Sequence, residues 1–127
     1  NAMLHKSSLS AQELEAINLS VSEATGCDYC LAAHTLMAKK AGFSGEQIHA
    51  LRRGEYTEDA RLDALVKFAQ TLVTTTGTLP EADVAALRHA GFSDQQVIEI
   101  ISAVSAILFT NMVNRVNDTV VDFPKAD

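Results

Sequence analysis

The sequence predicts an all-α chain of about six helices, and three observations carry that expectation. Capping boxes recur ahead of apolar residues spaced three and four apart, in Ser10 with Glu13, Ser44 with Gln47 and Ser93 with Gln96. Glycines follow the helical stretches and stop them. The apolar–polar alternation of strands is absent.

The first helix runs from the Ser10 cap to Gly26, with Leu14, Ile17, Val21 and Ala24 on one face. A second holds Cys27 or Asp28 to about Ala41, with Leu31, Met37 and Ala41 on its apolar side and Gly42 as its stop. Ser44 caps a short third helix carrying Ile48 and Leu51, which ends near Gly54. Leu62, Leu65, Val66, Ala69, Leu72 and Val73 mark a fourth, expected from Thr57 or Glu58 and fraying between Thr74 and Gly77, where β-branched threonines make poor helix interior. Pro80 suits the first turn of a fifth helix, Glu81 to Ala90, with Val84 and Leu87 inward and Gly91 as its stop. Ser93 caps a long sixth helix to about Asn117. The segments "AGFSGEQI" at 41–48 and "AGFSDQQV" at 90–97 echo each other, so one joint of helix, turn and helix is expected twice, whether by duplication or because the turn chemistry is good.

At 127 residues the chain is one domain's worth, long enough to bury a core without cysteine staples. Its start, "NAM", reads as the remnant of an expression tag in residues 1–2, leaving one domain from 3 to 127. Ten Lys plus Arg against sixteen Asp plus Glu give a net charge of −6, which repels a phosphate backbone, so no nucleic acid is expected as a partner. No membrane is expected either: the longest nearly apolar run, Val97 to Phe109, falls short of the ~20 residues a span needs. No signal peptide is legible, and a cytoplasmic location follows as the default. There a Cys-x-x-Cys pair is catalytic, redox-sensing or metal-binding more often than structural.

The only two cysteines lie in "GCDYCLAAH", residues 26–34. At about 100° per residue, Cys27, Cys30 and His34 share one helical face within an arc of about 100°. Two sulfurs so placed can bridge, and an imidazole one turn on can exchange a proton with the nearer thiol. Gly26 puts Cys27 at a helix N-terminus, where unpaired N–H groups stabilise a thiolate. Zinc is the competing reading, but a fourth ligand is missing: His5, His49 and His89 are scattered singletons. Dithiol redox chemistry is therefore favoured, with no cofactor and no metal.

The stretch "LEAINLSVSEATGCDYCLAAHTLMAKKAG", residues 14–42, resembles the alkylhydroperoxidase AhpD-like proteins of the carboxymuconolactone decarboxylase superfamily. The helical order and the "NRVND" ending of the last long helix extend the likeness more loosely. The family's signature is a glutamate twelve residues before Cys-x-x-Cys, then three residues and a histidine; Glu15, Cys27, Cys30 and His34 match it at every position. The resemblance implies a helical subunit that forms homo-oligomers, trimers or hexamers, with antioxidant peroxidase or disulfide reductase activity. It implies that Cys30 attacks the peroxide and that Cys27 resolves the sulfenic acid to a disulfide. His34 and Glu15 would relay the proton, and a dithiol donor such as a lipoyl or thioredoxin-like protein would reduce the pair.

The chain departs from that pattern at one place. Tyr29 stands where AhpD has a second histidine between its cysteines, so it is a secondary candidate that packs or hydrogen-bonds at the mouth of the site. The helix dipole favours Cys27 as the more acidic thiol, whereas the histidine at i+4 favours Cys30. Read alone, Glu15 would be an exposed carboxylate in the first turns of a helix; the resemblance makes it a buried relay. Glu23 reads as a solvated acid, His49 and His89 as surface residues, and Asn111, Asn114 and Arg115 as groups that satisfy carbonyls or subunit contacts. Alternatives to the peroxidase are a non-catalytic redox-responsive binding protein, a zinc-binding relative, and a decarboxylase, whose ring-cleaving kin typically lack the cysteine pair. The sixth helix, apolar almost all round, needs either a partner subunit or a central place in the bundle.

Overall fold

The computed structural model describes residues 7–75, 79–122, 124 and 126. Residues 1–2, read above as a tag remnant, lie outside the described residues, as do His5 and Gly77. Among the described residues there are six α-helices and no strand: α1 Ala11–Thr25, α2 Asp28–Lys40, α3 Gly45–Arg53, α4 Ala60–Thr74, α5 Glu81–His89 and α6 Asp94–Val116.

The central helix is α1, which packs against α4, α2, α6 and α3. One apolar face was expected of it; instead Glu13, Glu15, Ala16, Ile17, Leu19, Ser20, Val21 and Ser22 are all buried. Alanine and serine make this possible, because short side chains let neighbouring helices approach from several sides. Ser20 satisfies its hydroxyl within the helix, donating to the Ile17 carbonyl at 3.2 Å. Both ends of α1 are closed, by the reciprocal Ser10–Glu13 capping box and by Gly26 in the left-handed region at φ 72°.

Three local expectations are corrected. The fourth helix begins at Ala60, not at Thr57 or Glu58: the Asp59 carboxylate accepts the Arg61 and Leu62 N–H groups, and Asp63 accepts the Tyr56 N–H at 2.8 Å, folding the preceding residues into a loop. Pro80 stands one residue ahead of the first turn of α5, as its cap without a side-chain bond. Met37 is exposed, and the inward side of α2 is instead Cys30, Leu31, Ala32 and Ala38.

The echoed joints are the same structure built twice. Gly42 and Gly91 have φ of 105° and 101°, Phe43 and Phe92 are buried, and Ser44 and Ser93 cap the next helix with the same backbone angles, φ −76° and ψ 166°. Phe43 meets the Tyr56 ring edge-on, with centroids 6.1 Å apart, while the Arg61 guanidinium lies 3.8 Å from the Phe92 centroid.

The 23-residue α6 ends at Val116, close to the expected Asn117. Although the run from Val97 to Phe109 alone is too short for a span, an 18-residue stretch of α6 has a mean hydropathy of 1.7, so by length and composition the helix could cross a membrane. Its inner side, with Val97, Ile100, Val104, Ile107 and Asn111, is buried in the bundle. Its outer side exposes Ile98, Ile101, Phe109, Met112 and Val116. At 100° per residue these five fall within an arc of about 80°, an apolar stripe interrupted at Ser105.

Candidate active site

The site forms where α1 turns into α2. Gly26 reverses the chain, and the Cys27 N–H donates to the Ser22 carbonyl at 3.1 Å, fixing Cys27 against the end of α1. Cys27 is the N-cap of α2, in extended conformation at φ −86° and ψ 97°. Its sulfur takes the position a serine or aspartate oxygen usually fills, accepting the Cys30 N–H at 3.3 Å. Cys27 and Cys30, with Cα atoms 5.3 Å apart, are joined as a disulfide. Each is only 1% exposed.

One turn beyond Cys30, His34 meets Glu15. The His34 Nδ1 lies 2.9 Å from Glu15 Oε2, joining α2 to α1, and the Asn18 amide donates to the other carboxylate oxygen at 3.4 Å. Glu15 is buried, not the exposed first-turn acid that its position alone suggests. Nδ1 donating to a carboxylate leaves Nε2 as the basic nitrogen of the neutral ring. Glu15 thus sets the ring's tautomer and orientation.

From the opposite side α6 supplies residues that sequence reasoning did not assign to the site. The Asn114 amide donates to Cys30 Sγ at 3.5 Å and to the Thr110 carbonyl at 3.0 Å. Asn111, fully buried, accepts from Thr25 Oγ1 at 2.8 Å and donates to Ser22 Oγ at 3.1 Å, tying α6 to the end of α1 that carries Cys27. Two asparagines three residues apart on a mostly apolar helix were the available signal, since both fall on its buried side.

A cavity of about 220 Å³ opens beside the disulfide, with Cys27, Asp28, Tyr29, Asn114, Arg115 and Thr119 among its walls. Tyr29 is half-buried there. Glu23 is exposed and ion-paired to Arg52 at 3.0 Å, so it serves the α1–α3 contact. His49 is half-buried on α3 and His89 exposed on α5. Cys27 and Cys30 thus stand at the start of α2 and the His34–Glu15 pair one turn on, between α2 and α1, with Asn114 of α6 reaching Cys30.

Comparison with known proteins bears on the family and the fold. The model of the carboxymuconolactone decarboxylase family matches residues 1–71, more than half of the chain. A peroxidase-related protein from Silicibacter sp. TM1040 superposes with a TM-score of 0.80 at 28% identity, covering 97% of this chain and 63% of that one. The chain thus spans less than two thirds of that relative. A protein of unknown function from Agrobacterium tumefaciens, described as a candidate antioxidant defence protein AhpD, gives 0.84 at 21% identity over 97% of this chain and 86% of its own. The debrominase Bmp8 with bound 2,3,4-tribromopyrrole gives 0.81 at 19% identity over 95% and 65%. No curated protein sequence matches significantly. The chain belongs to the carboxymuconolactone decarboxylase family and has the AhpD-like all-α fold.

Proposed function

We propose that this protein is an antioxidant dithiol enzyme that reduces hydroperoxides or disulfides through Cys30 and Cys27. The observation that carries the reading is the part-buried Glu15–His34 hydrogen bond of 2.9 Å, which joins α1 to the helix whose N-cap and first turn hold the two sulfurs. His34 Nε2 takes the Cys30 proton, and the thiolate attacks one peroxide oxygen. The S–O bond forms as the O–O bond breaks, and the departing alkoxide leaves as an alcohol with that proton. The Cys27 thiolate then attacks the Cys30 sulfenic acid, displacing hydroxide that leaves as water, and the disulfide results. A dithiol donor, lipoyl or thioredoxin-like, returns two electrons. A peroxide and the dithiol thus become an alcohol, water and a disulfide.

Tyr29 lines the cavity through which substrate would reach this pair. The proposed setting is the reducing cytoplasm, where such a pair can be recycled. Copies of the chain are proposed to associate through the outer stripe of α6, as trimers or hexamers.

The test is peroxide consumption by the purified protein with dihydrolipoamide or reduced thioredoxin as donor. Wild type is expected to cycle and Cys30→Ser to be inactive; full activity in that variant would sink the assignment. The near-complete burial of both sulfurs favours a second reading, a redox-responsive binding protein whose thiols titrate without turnover. Reversible oxidation with negligible turnover against every donor would select it. Stoichiometric zinc blocking thiol labelling would instead select the metal reading.

A further inference from the structure

The two sulfurs of the disulfide stand in different surroundings. Cys27 Sγ accepts a backbone N–H that the helix fixes, and Cys27 forms part of the cavity wall. Cys30, equally buried, is not part of that wall, and its sulfur accepts a side-chain amide from Asn114, 84 residues away. The direction of that amide is settled by its second contact. The Thr110 carbonyl can only accept, so the Asn114 atom 3.0 Å from it is nitrogen, and the same nitrogen presents its other hydrogen to Cys30.

We infer that Asn114 is the donor that receives the Cys30 sulfur as a thiolate when a reductant entering the cavity opens the disulfide at Cys27. The inference rests on the reading of Cys27 and Cys30 as a cycling pair. A thiolate of the donor dithiol attacks Cys27 Sγ, the exchange forms a donor–Cys27 disulfide, and the Cys27–Cys30 bond breaks. Cys30 departs with the electron pair into the Asn114 amide. The donor's second thiolate then attacks the donor's own bridging sulfur and frees Cys27. Two electrons have passed from donor to protein, the donor has become a disulfide, and its two protons end on the protein's sulfurs or on His34. A hydrogen bond to an ionised acceptor is roughly twice as strong as one to a neutral acceptor, so Asn114 favours the reduced, ionised Cys30 over the disulfide. Exchange is faster when the leaving sulfur is the better-stabilised thiolate, which selects Cys27 as the attacked sulfur and Cys30 as the leaving one. The same contact leaves Cys30 ionised for the next peroxide, so one asparagine serves both halves of the cycle.

Two measurements test this. In a Cys27→Ser background Cys30 is the only thiol, and the pH dependence of its alkylation is followed with and without Asn114→Ala. With the cysteine pair intact, the rate of disulfide reduction by dithiothreitol at neutral pH is compared in the same way. Asn114→Ala is expected to raise the midpoint of Cys30 alkylation by about one pH unit, equivalent to about tenfold in thiolate population, and to slow reduction several-fold. Asn114→Asp keeps the size of the side chain and replaces donor by acceptor, so it moves both quantities further in the same direction and serves if the alanine variant does not fold. An unchanged midpoint in a folded variant overturns the inference, as does slower reduction without a midpoint shift, which would be a structural effect alone. The outcome is separable from peroxidase function: a protein that consumes no peroxide yet shows the Asn114-dependent shift loses the peroxidase reading and keeps this one.

Discussion

His34 Nδ1 lies 2.9 Å from Glu15 Oε2, a hydrogen bond between residues 19 apart that ties the helix bearing the cysteines to the central helix of the bundle. Because Glu15 is buried and also accepts from Asn18, its carboxylate is held in place and so holds the imidazole. Glu15→Gln keeps the shape but exchanges one accepting oxygen for an amide. It is expected to lower peroxide consumption about tenfold with little change in unfolding temperature. His34→Ala removes the proton acceptor and should cost about 100-fold, the lower range for loss of a positioned general base. Steady-state peroxide assays with paired thermal melts check both; wild-type rates in His34→Ala would refute the relay.

Cys27→Ser separates attack from resolution. The variant is expected to consume about one peroxide per chain and stop, because no second thiol remains to form the disulfide. Trapping with a sulfenic-acid probe and mass spectrometry should place the adduct on Cys30. Continued turnover, or an absence of any adduct after peroxide, counts against Cys30 as the attacking residue.

Asp63 links stability to pH. Burial pushes its carboxyl up, but the Lys67 hydrogen bond, the Tyr56 N–H and the Lys67 charge together bring it below the usual aspartate value. A carboxylate lowered in the folded state contributes stability that is fully present above its unfolded value of about 3.9 and is lost as pH falls through the folded value. Thermal stability should therefore fall below about pH 4. Asp63→Asn should lower the unfolding temperature by a few degrees at pH 7, on the order of 1 kcal/mol, and flatten that acid dependence. An acid profile identical to wild type would show that Asp63 does not contribute to it.

The outer stripe of α6 predicts self-association. Phe109 is 66% exposed and Val116 85%, high values for large apolar groups that share one helical face. Phe109→Glu with Val116→Glu is expected to reduce the solution mass to that of one chain while leaving the helical circular dichroism intact. Light scattering decides it: a wild-type protein that is already monomeric at micromolar concentration would remove the case for this interface.

Much of this protein is legible in its sequence, because helix signals are local. Ser10, Ser44 and Ser93 each bond to the backbone three residues on, and Gly26, Gly42, Gly54 and Gly91 take left-handed angles that other residues resist, so those helix ends follow from short-range chemistry alone. Cys27, Cys30 and His34 lie within eight residues of one another, and helical periodicity suffices to put them on one face. The tertiary structure decided what depends on long-range packing. Burial of α1 on nearly every side follows from the other helices converging on its short side chains, which no periodicity within α1 announces. Glu15 becomes a buried partner of His34 only because α2 folds back along α1. Asn114 reaches Cys30 from 84 residues away, since the fold brings the far end of α6 to the start of α2; its meaning lies in a contact that sequence spacing does not encode.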